Sequence, residues 1–321
     1  MRSSRLIASL AAACVLALGV AACGYSSSSS SSSNSSGGGS KSGGTINGAG
    51  STFAAPIYQQ WGATLKSQQG LTVNYQAVGS GQGITELTSG TVDFAGSDPP
   101  MTDDEIKAAA KKGAPLHWPT ALGAITISYN LSGVKAGMKL TGPVIADIFL
   151  GKVKTWNDPE IAKLNPGTTL PSTNITVVHR SDSSGTTKGF TGYLGAVSPE
   201  WDKSVGSDKT VKWPTGTGAK GNDGVAAAVK QTPGAVGYVE QAYALQNKFT
   251  TAAVQNKAGQ FVAPDLASTT AAGEGIKVPS DLRFTIQNPT TPRRTRSRPR
   301  RSWSPTRTRA RRARRSRWPT G

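Results

Sequence analysis

Apolar and polar positions alternate in short segments between residues 45 and 240. Period-two segments predict strands, as over 71–78, where Leu71, Val73 and Tyr75 share one face. Thr102, followed by Glu105 at the third helical position, predicts a capped helix start. Alternating strands and helices predict an α/β fold with largely parallel sheets. The predicted strands cover 45–49, 71–78, 92–95, 124–129, 175–178 and 237–239, and the further helices cover 53–65, 83–87, 144–150, 183–194 and 225–230.

The first 44 residues have a different pattern from the rest. Arg2 and Arg5 precede an apolar run over 6–22 that is short for a membrane span, so residues 1–22 are predicted to be a signal peptide. Small residues directly before Cys23 resemble a bacterial lipoprotein processing site, and we expect Cys23 to be lipidated, for example by palmitate. An incidental cysteine after an ordinary signal peptide is the alternative. Residues 23–44, mostly Ser and Gly, predict a disordered tether spanning about 25 Å.

The formal charge of +18 is concentrated at the ends of the chain. Residues 293–321 hold 13 arginines and no acidic residue, and removing them together with Arg2 and Arg5 leaves the body at +3. This near-neutral body gives no electrostatic case for nucleic acid. Both cysteines lie within the first 23 residues, and only two histidines occur, so neither a thiolate metal site nor a cofactor is expected.

A strand ends three times in a Gly/Ser/Thr turn that opens a predicted helix: at 51–52, at 80–81 and at 184–186. A helix start offers unpaired N–H groups and the positive end of the helix dipole, and hydroxyls add donors. Three such turns favour an anion site. Ser and Thr are also good helix caps, and spacing alone does not show that the turns converge.

Arginine is rare in the body, where residues 24–292 contain 19 lysines but only Arg180 and Arg283. Arg180 stands two residues before Asp182, beside the third turn. Its planar guanidinium matches a tetrahedral oxyanion, and a surface ion pair with Asp182 is the alternative. The chain shows no phosphate-binding loop of nucleotide enzymes and no nucleophile elbow. An enzyme acting on phosphate esters lacks a visible nucleophile with its base, so we expect no catalytic residue.

These segments resemble the phosphate-binding proteins of bacterial phosphate ABC importers. The resemblance runs from about Gly48 to Tyr243. It implies a two-domain hinged fold of the type II periplasmic-binding-protein class, with the ligand in the cleft between domains at 45–124 and 125–282. The matching segments are 48–53, 79–81, 92–98, 148–152, 156–158, 180–186, 213–214, 220–225 and 233–240.

The resemblance also implies a role for each site residue. Asp182 would hold the Arg180 guanidinium against two phosphate oxygens. Asp98 can only accept hydrogen bonds, so it would take the proton of phosphate and reject fully ionised sulfate. The remaining phosphate donors would come from the three helix starts: Thr52, Phe53, Ser80, Ser184, Gly185 and Thr186.

The resemblance implies a transport role rather than catalysis. The protein would capture inorganic phosphate and deliver it to the permease subunits of the importer. It would act as a monomer held by its lipid at the outer face of the cell membrane. Another protonated oxyanion such as arsenate, or a non-functional truncated copy, is the alternative.

The resemblance ends after about Thr291. Family members return to the first domain after about residue 283, adding a strand and helices, whereas residues 292–321 here are rich in Arg, Pro, Ser and Thr and have no core pattern. We interpret this tail as a frame-shifted, disordered ending. A basic tail that contacts anionic lipid or nucleic acid is the alternative. We therefore expect the first domain to lack its closing segment.

Overall fold

The computed structural model describes residues 43–111 and 113–286. The predicted signal peptide, Cys23, most of the tether and the arginine-rich tail lie outside the described residues, and the predictions made for them stay predictions.

Helices and strands alternate through the described chain. The helices are α1 Ala55–Gln69, α2 Ser80–Ser89, α3 Asp103–Ala109, α4 Gly142–Phe149, α5 Pro159–Leu164, α6 Gly185–Val197, α7 Pro199–Ser204, α8 Gly221–Gln231, α9 Gln241–Gln246 and α10 Leu266–Gly273. The strands are β1 Thr45–Gly50, β2 Thr72–Ala77, β3 Phe94–Gly96, β4 Ile125–Tyr129, β5 Lys139–Leu140, β6 Thr176–Arg180, β7 Thr217–Ala219, β8 Ala235–Glu240, β9 Thr250–Thr251, β10 Ala253–Gln255 and β11 Phe261–Val262.

The first sheet has the strand order β2-β1-β3 and is parallel throughout. Its register sets Gly50, the last residue of β1, beside Gly96, the last residue of β3. The loops that leave these two strands therefore begin side by side at the carboxyl edge of the sheet. This edge is where ligands bind in open parallel sheets.

A five-stranded sheet of order β7-β6-β8-β4-β9 dominates the second half of the chain. Strand β6 is parallel to β7 and β8, whereas β4 is antiparallel to β8 and β9. The antiparallel pairing of β4 with β8, which was not predicted from the sequence, sets Ile125 opposite Glu240. Strand β4 therefore begins at the end of the sheet where β8 finishes. The third sheet, β11-β10-β5, combines one parallel and one antiparallel pair.

The strands of the first sheet all precede residue 97, and those of the other two lie between 125 and 262. We call residues 45–124 the first lobe and residues 125–282 the second lobe; the domain boundaries themselves stay a prediction. The second lobe contains the large core, in which Trp156, Trp201, Tyr238 and Phe149 are fully buried. The first lobe has a small cluster of buried apolar side chains formed by Ile84, Met101 and Ala109.

Most predicted elements occur within two or three residues of their expected positions. The Thr102 capping box is present, with both of its hydrogen bonds. Helix α1 begins at Ala55, two residues later than predicted, because Ser51–Ala54 form a turn first. Helices α5, α7, α9 and α10 and the five strands β5, β7, β9, β10 and β11 were not predicted. Across the described ranges, no helix has the length and apolar character needed to cross a membrane.

Two helical glycines offer a matched test of how closely α2 packs on the first sheet. Gly83 and Gly224 are each the fourth residue of their helix. A Cβ on Gly83 would lie 2.5 Å from the Ala49 carbonyl oxygen, whereas one on Gly224 would lie 3.6 Å from Ala219. We expect Gly83→Ala to lower the free energy of unfolding by more than about 2 kcal/mol. Gly224→Ala should raise it by about 0.5–1 kcal/mol through helix propensity. Urea unfolding measures both, and equal effects would contradict this packing.

Candidate functional site

The carboxyl edge of the first sheet brings Ser51 and Asp98 together. Ser51 follows β1 directly, and its N–H donates to the Gly96 carbonyl at 2.8 Å. Its hydroxyl donates to Asp98 Oδ1 and accepts the N–H groups of Phe53 at 3.0 Å and Ala54 at 3.4 Å. The N–H of Phe53, predicted to bind an anion, is therefore bonded to Ser51 in this structure. Thr52, the next predicted donor, is buried beside it.

Arg180, the last residue of β6, is buried with only 3% of its surface exposed. Its Nε lies 2.7 Å from Asp182 Oδ1 and its Nη2 lies 2.5 Å from Asp182 Oδ2, a bidentate pair. Burial tends to raise the pKa of Asp182, but the hydrogen bonds and charge of Arg180 outweigh burial and hold that pKa below its ordinary value. The alternative of a surface ion pair is wrong, because the pair is interior.

Thr186, in the first turn of α6, joins residues of both lobes. Its hydroxyl donates to Asp98 Oδ2 at 3.0 Å and accepts from Arg180 Nη1 at 3.4 Å. Gly185 lets the lobes meet, since a Cβ there would lie 2.5 Å from Ser80 Oγ and 2.8 Å from Asp98 Cβ. The second and third predicted helix starts are therefore in contact.

Asn222 connects the first predicted turn to the same cluster. This residue is fully buried at the start of α8, after Gly221, whose φ of +72° suits glycine. Its Nδ2 donates to Thr52 Oγ1 at 2.8 Å and to Thr186 Oγ1 at 3.3 Å, and its backbone N–H donates to Thr52 Oγ1 at 3.1 Å. The Thr52 hydroxyl thus accepts two bonds, and any further bond must be as a donor. An anion requires that donor role.

Ser80 and Ser184 occupy two of the helix starts. Ser80 is the first residue of α2, and its hydroxyl accepts the Asp98 N–H at 3.4 Å. Ser184 caps α6, accepting the Thr187 N–H at 3.1 Å. Both are buried. Six of the eight predicted phosphate ligands are thus connected with Asp182 by hydrogen bonds or close packing, directly or through Asn222: Thr52, Ser80, Asp98, Arg180, Gly185 and Thr186. Phe53 joins them through Ser51, and Ser184 precedes Gly185 in the chain.

Two residues of this cluster were not among the predicted ligands. Ser51 and Asn222 stood in segments that carry the resemblance, yet each looks from sequence like an ordinary turn or helix-start residue. Their partners, Asp98 and Thr52, are 47 and 170 residues away. The one local signal was a small polar residue directly after a glycine near the start of a helix.

Two acidic groups at the cluster, Asp98 and Glu240, have raised pKa values, in contrast to Asp182. Burial raises the pKa of Asp98, while hydrogen bonds from Ser51 and Thr186 and the charge of Arg180 act in the opposite direction. Burial, together with repulsion from Asp98, raises the pKa of Glu240 at the end of β8 to about 7. The Glu240 carboxylate accepts the Ala242 N–H at 2.7 Å and caps α9. Burial thus makes both acids take up a proton more readily than in water, and the donors around Asp98 oppose this shift and favour its ionised form.

Two cavities of the described residues lie away from this cluster. One of about 310 Å³ is lined by apolar side chains of the second lobe, including Ile127, Phe190 and Val254. Another of about 500 Å³ lies beside α10. Neither is lined by any predicted phosphate ligand, and mainly apolar walls do not suit an anion. Across the described ranges, no group of three or more His, Cys, Asp or Glu residues is arranged to hold a metal ion.

Comparison with known proteins places residues 35–289 in the family described as the PBP superfamily domain. The phosphate-binding protein PstS of Pasteurella multocida is 52% identical over 229 residues, which cover 71% of this chain and 65% of that protein. Its namesake from Haemophilus influenzae is 46% identical over 234 residues, covering 73% and 69%. The chain therefore spans about two thirds of the length of these relatives: slightly more than two thirds of the Haemophilus protein and slightly less than two thirds of the Pasteurella protein.

Solved structures show the same fold. A high affinity periplasmic phosphate-binding protein, determined bound with phosphate at pH 8.5, superposes with a TM-score of 0.57 at 25% identity, covering 74% of this chain and 69% of that chain.

Glu240→Gln tests the raised pKa of Glu240. Because the folded state holds this carboxyl protonated up to pH about 7, its contribution to stability is full below pH about 4.5 and is lost as the pH rises through 7. We expect the free energy of unfolding of wild type to fall by up to about 3 kcal/mol between pH 5 and pH 8. Glu240→Gln, which can keep the cap on α9, should not show this fall. Urea unfolding at both pH values measures the difference. The exposed Glu274→Gln serves as control, and identical pH profiles for wild type and Glu240→Gln would contradict the expectation.

Proposed function

We infer that this chain, which belongs to the PBP superfamily and within it to the family of the phosphate-binding proteins, captures inorganic phosphate for an ABC importer. The observation that carries the proposal is the buried cluster around Arg180, in which hydroxyl and amide donors from both lobes lie within hydrogen-bond reach of one another. The names of the relatives and of the superposed structure support the ligand.

The proposed phosphate contacts follow from the donors that remain available. Arg180 uses Nε and Nη2 for Asp182, so Nη1 faces the cluster. Thr52 has its lone pairs occupied and can donate its proton. Thr186 and Ser80 would turn their hydroxyls to the phosphate, and the Gly185 N–H would join them. The Ser184 hydroxyl accepts the Thr187 N–H and can donate its proton. The Phe53 N–H would have to leave Ser51 Oγ to take part. Charge-assisted bonds of this kind contribute about 1.5–3 kcal/mol each.

Asp98 would set the choice of anion. It lies within the donor cluster and, when ionised, only accepts hydrogen bonds. A phosphate that retains a proton can donate it to Asp98. Sulfate has no proton to donate, so a sulfate oxygen and an Asp98 oxygen would repel each other. Arsenate also retains a proton, so this geometry does not separate it from phosphate.

The proposed setting of the protein is extracytoplasmic. The signal-peptide pattern and the small residues before Cys23 support a lipid anchor at the outer face of the membrane. We propose that the protein acts as a monomer, without catalysis, and docks on the permease subunits of the importer. These points rest on the sequence pattern and on the relatives.

The alternative of a non-functional copy is favoured by one observation. The loop before the second lobe exposes Leu116 at 92% and Trp118 at 81% of their surface. Large apolar side chains at this exposure in the first lobe fit our proposal that its closing segment has been replaced by a frame-shifted tail. Calorimetry with phosphate on residues 45–321, beside a version whose tail is translated in the alternative frame, separates the cases. Binding by the restored version alone would identify this chain as a broken copy.

Asp98→Asn tests the proposed selectivity. Asparagine can donate to sulfate, so we expect the phosphate-over-sulfate affinity ratio at pH 7 to fall by about tenfold or more, equivalent to at least about 1.4 kcal/mol. Competition calorimetry measures the ratio. The exposed Asp104→Asn serves as a matched control and should leave the ratio unchanged. A ratio that is equal in wild type and Asp98→Asn would remove Asp98 from this role.

A further inference from the structure

The Ser51 hydroxyl has all of its hydrogen-bonding capacity in use. A hydroxyl has one proton and two lone pairs. Its lone pairs accept the N–H groups of Phe53 and Ala54, and its proton goes to Asp98 Oδ1. Ser51 is 1% exposed, so water has little access to this oxygen. The bond to Asp98 is therefore the one that the Ser51 proton can make.

The two oxygens of Asp98 consequently have different surroundings. Oδ1 is held by Ser51 from the same lobe, whereas Oδ2 faces the Thr186 hydroxyl of the second lobe at 3.0 Å. Thr186 in turn contacts Arg180 Nη1, where the proposed phosphate would lie. Oδ2 is thus the oxygen on the ligand side.

We infer that Ser51 is a positioning residue for anion selectivity: by donating to Oδ1, it keeps the Asp98 carboxylate ionised and leaves Oδ2 to accept the proton of the ligand. This inference rests on the proposed function. Without the Ser51 proton, Oδ1 would lose a donor, and the carboxyl group would turn more readily and take up a proton at a higher pH. A protonated Asp98 can donate to sulfate, and the selectivity would be lost.

Several charged or titratable groups face Asp98 and also affect its protonation. The charge of Arg180 favours the ionised form, whereas Asp182 opposes it. Glu240 has a pKa that Asp98 helps to raise to about 7. The hydroxyls of Tyr75 and Tyr243 also interact with Asp98, and burial raises the pKa of both. Among these groups, Glu240 titrates in the pH range of interest, so Glu240→Gln is a necessary background.

A purely structural role for Ser51 is the competing explanation. Ser51 shapes the turn before α1 through its bonds to Phe53 and Ala54, and Phe53 and Thr52 are themselves proposed ligands. Disturbing the turn would weaken phosphate and sulfate alike at every pH. An effect on Asp98 would instead change their ratio and its pH dependence.

The test measures sulfate and phosphate affinity from pH 5 to pH 8 in the purified protein, with and without Glu240→Gln. Sulfate stays fully ionised over this range, so the pH dependence of its binding reports on the protein. In wild type, sulfate affinity should rise as the pH falls and Asp98 takes up a proton. In Ser51→Ala that rise should begin about one pH unit higher, and the phosphate-over-sulfate ratio at pH 7 should fall about tenfold.

Ser51→Thr retains the hydroxyl and should restore the wild-type ratio and pH midpoint. Ser51→Cys keeps the size but is a weaker donor, so it should lie between wild type and Ser51→Ala, and it replaces the alanine variant if that variant fails to fold. An equal loss of phosphate and sulfate affinity, with no shift of the pH midpoint, would overturn the inference while leaving the proposed function intact. Failure of the wild type to bind phosphate at all would instead overturn both.

Discussion

The candidate site depends on the buried pair of Arg180 and Asp182. A guanidinium away from water is stable only when its charge is matched and its N–H groups are bonded. Asp182 meets that need along one edge of the guanidinium and also accepts the Gly221 N–H at 3.1 Å, at the start of α8. The same helix start places Asn222 against Thr52 and Thr186. The pair thus orients the free edge of Arg180 and, through α8, the amide that links the two lobes.

The balance of charge at this place explains how an anion could bind without a positive protein surface. Arg180 is surrounded by two carboxylates, Asp182 and Asp98, so the cluster has no surplus of positive charge. Attraction would come from oriented hydroxyls, amides and helix starts, whose dipoles are held by the fold before the ligand arrives. Such a site selects by the pattern of donors and one acceptor rather than by net charge. This agrees with a body whose formal charge is only +3.

The sequence predicted the elements that carry local signals. Periodic apolar positions, the Thr102 capping box and the Gly/Ser/Thr turns lie next to each other in the chain, and the structure has elements there. Strands of two or three residues, such as β5 and β9, are too short to show a period, and their pairing depends on distant partners. The antiparallel position of β4 follows from the path between the lobes rather than from its own residues. Ser51 and Asn222 were missed for the same reason, since their partners are set by tertiary packing.

The unequal cores of the lobes make the site part of what stabilises the first lobe. That lobe has few fully buried apolar side chains, yet it supplies Thr52, Ser80 and Asp98. Several polar contacts join it to the second lobe: the Tyr243 hydroxyl donates to the Thr52 carbonyl at 2.7 Å, the Gly81 N–H donates to the Ser183 carbonyl at 3.0 Å, and Lys209 pairs with Glu105. A phosphate bound among Thr52, Ser80 and Arg180 would add bonds across the same surface. Because a ligand that binds only the folded state stabilises it by mass action, phosphate capture and the folding of the first lobe are coupled under the proposed function.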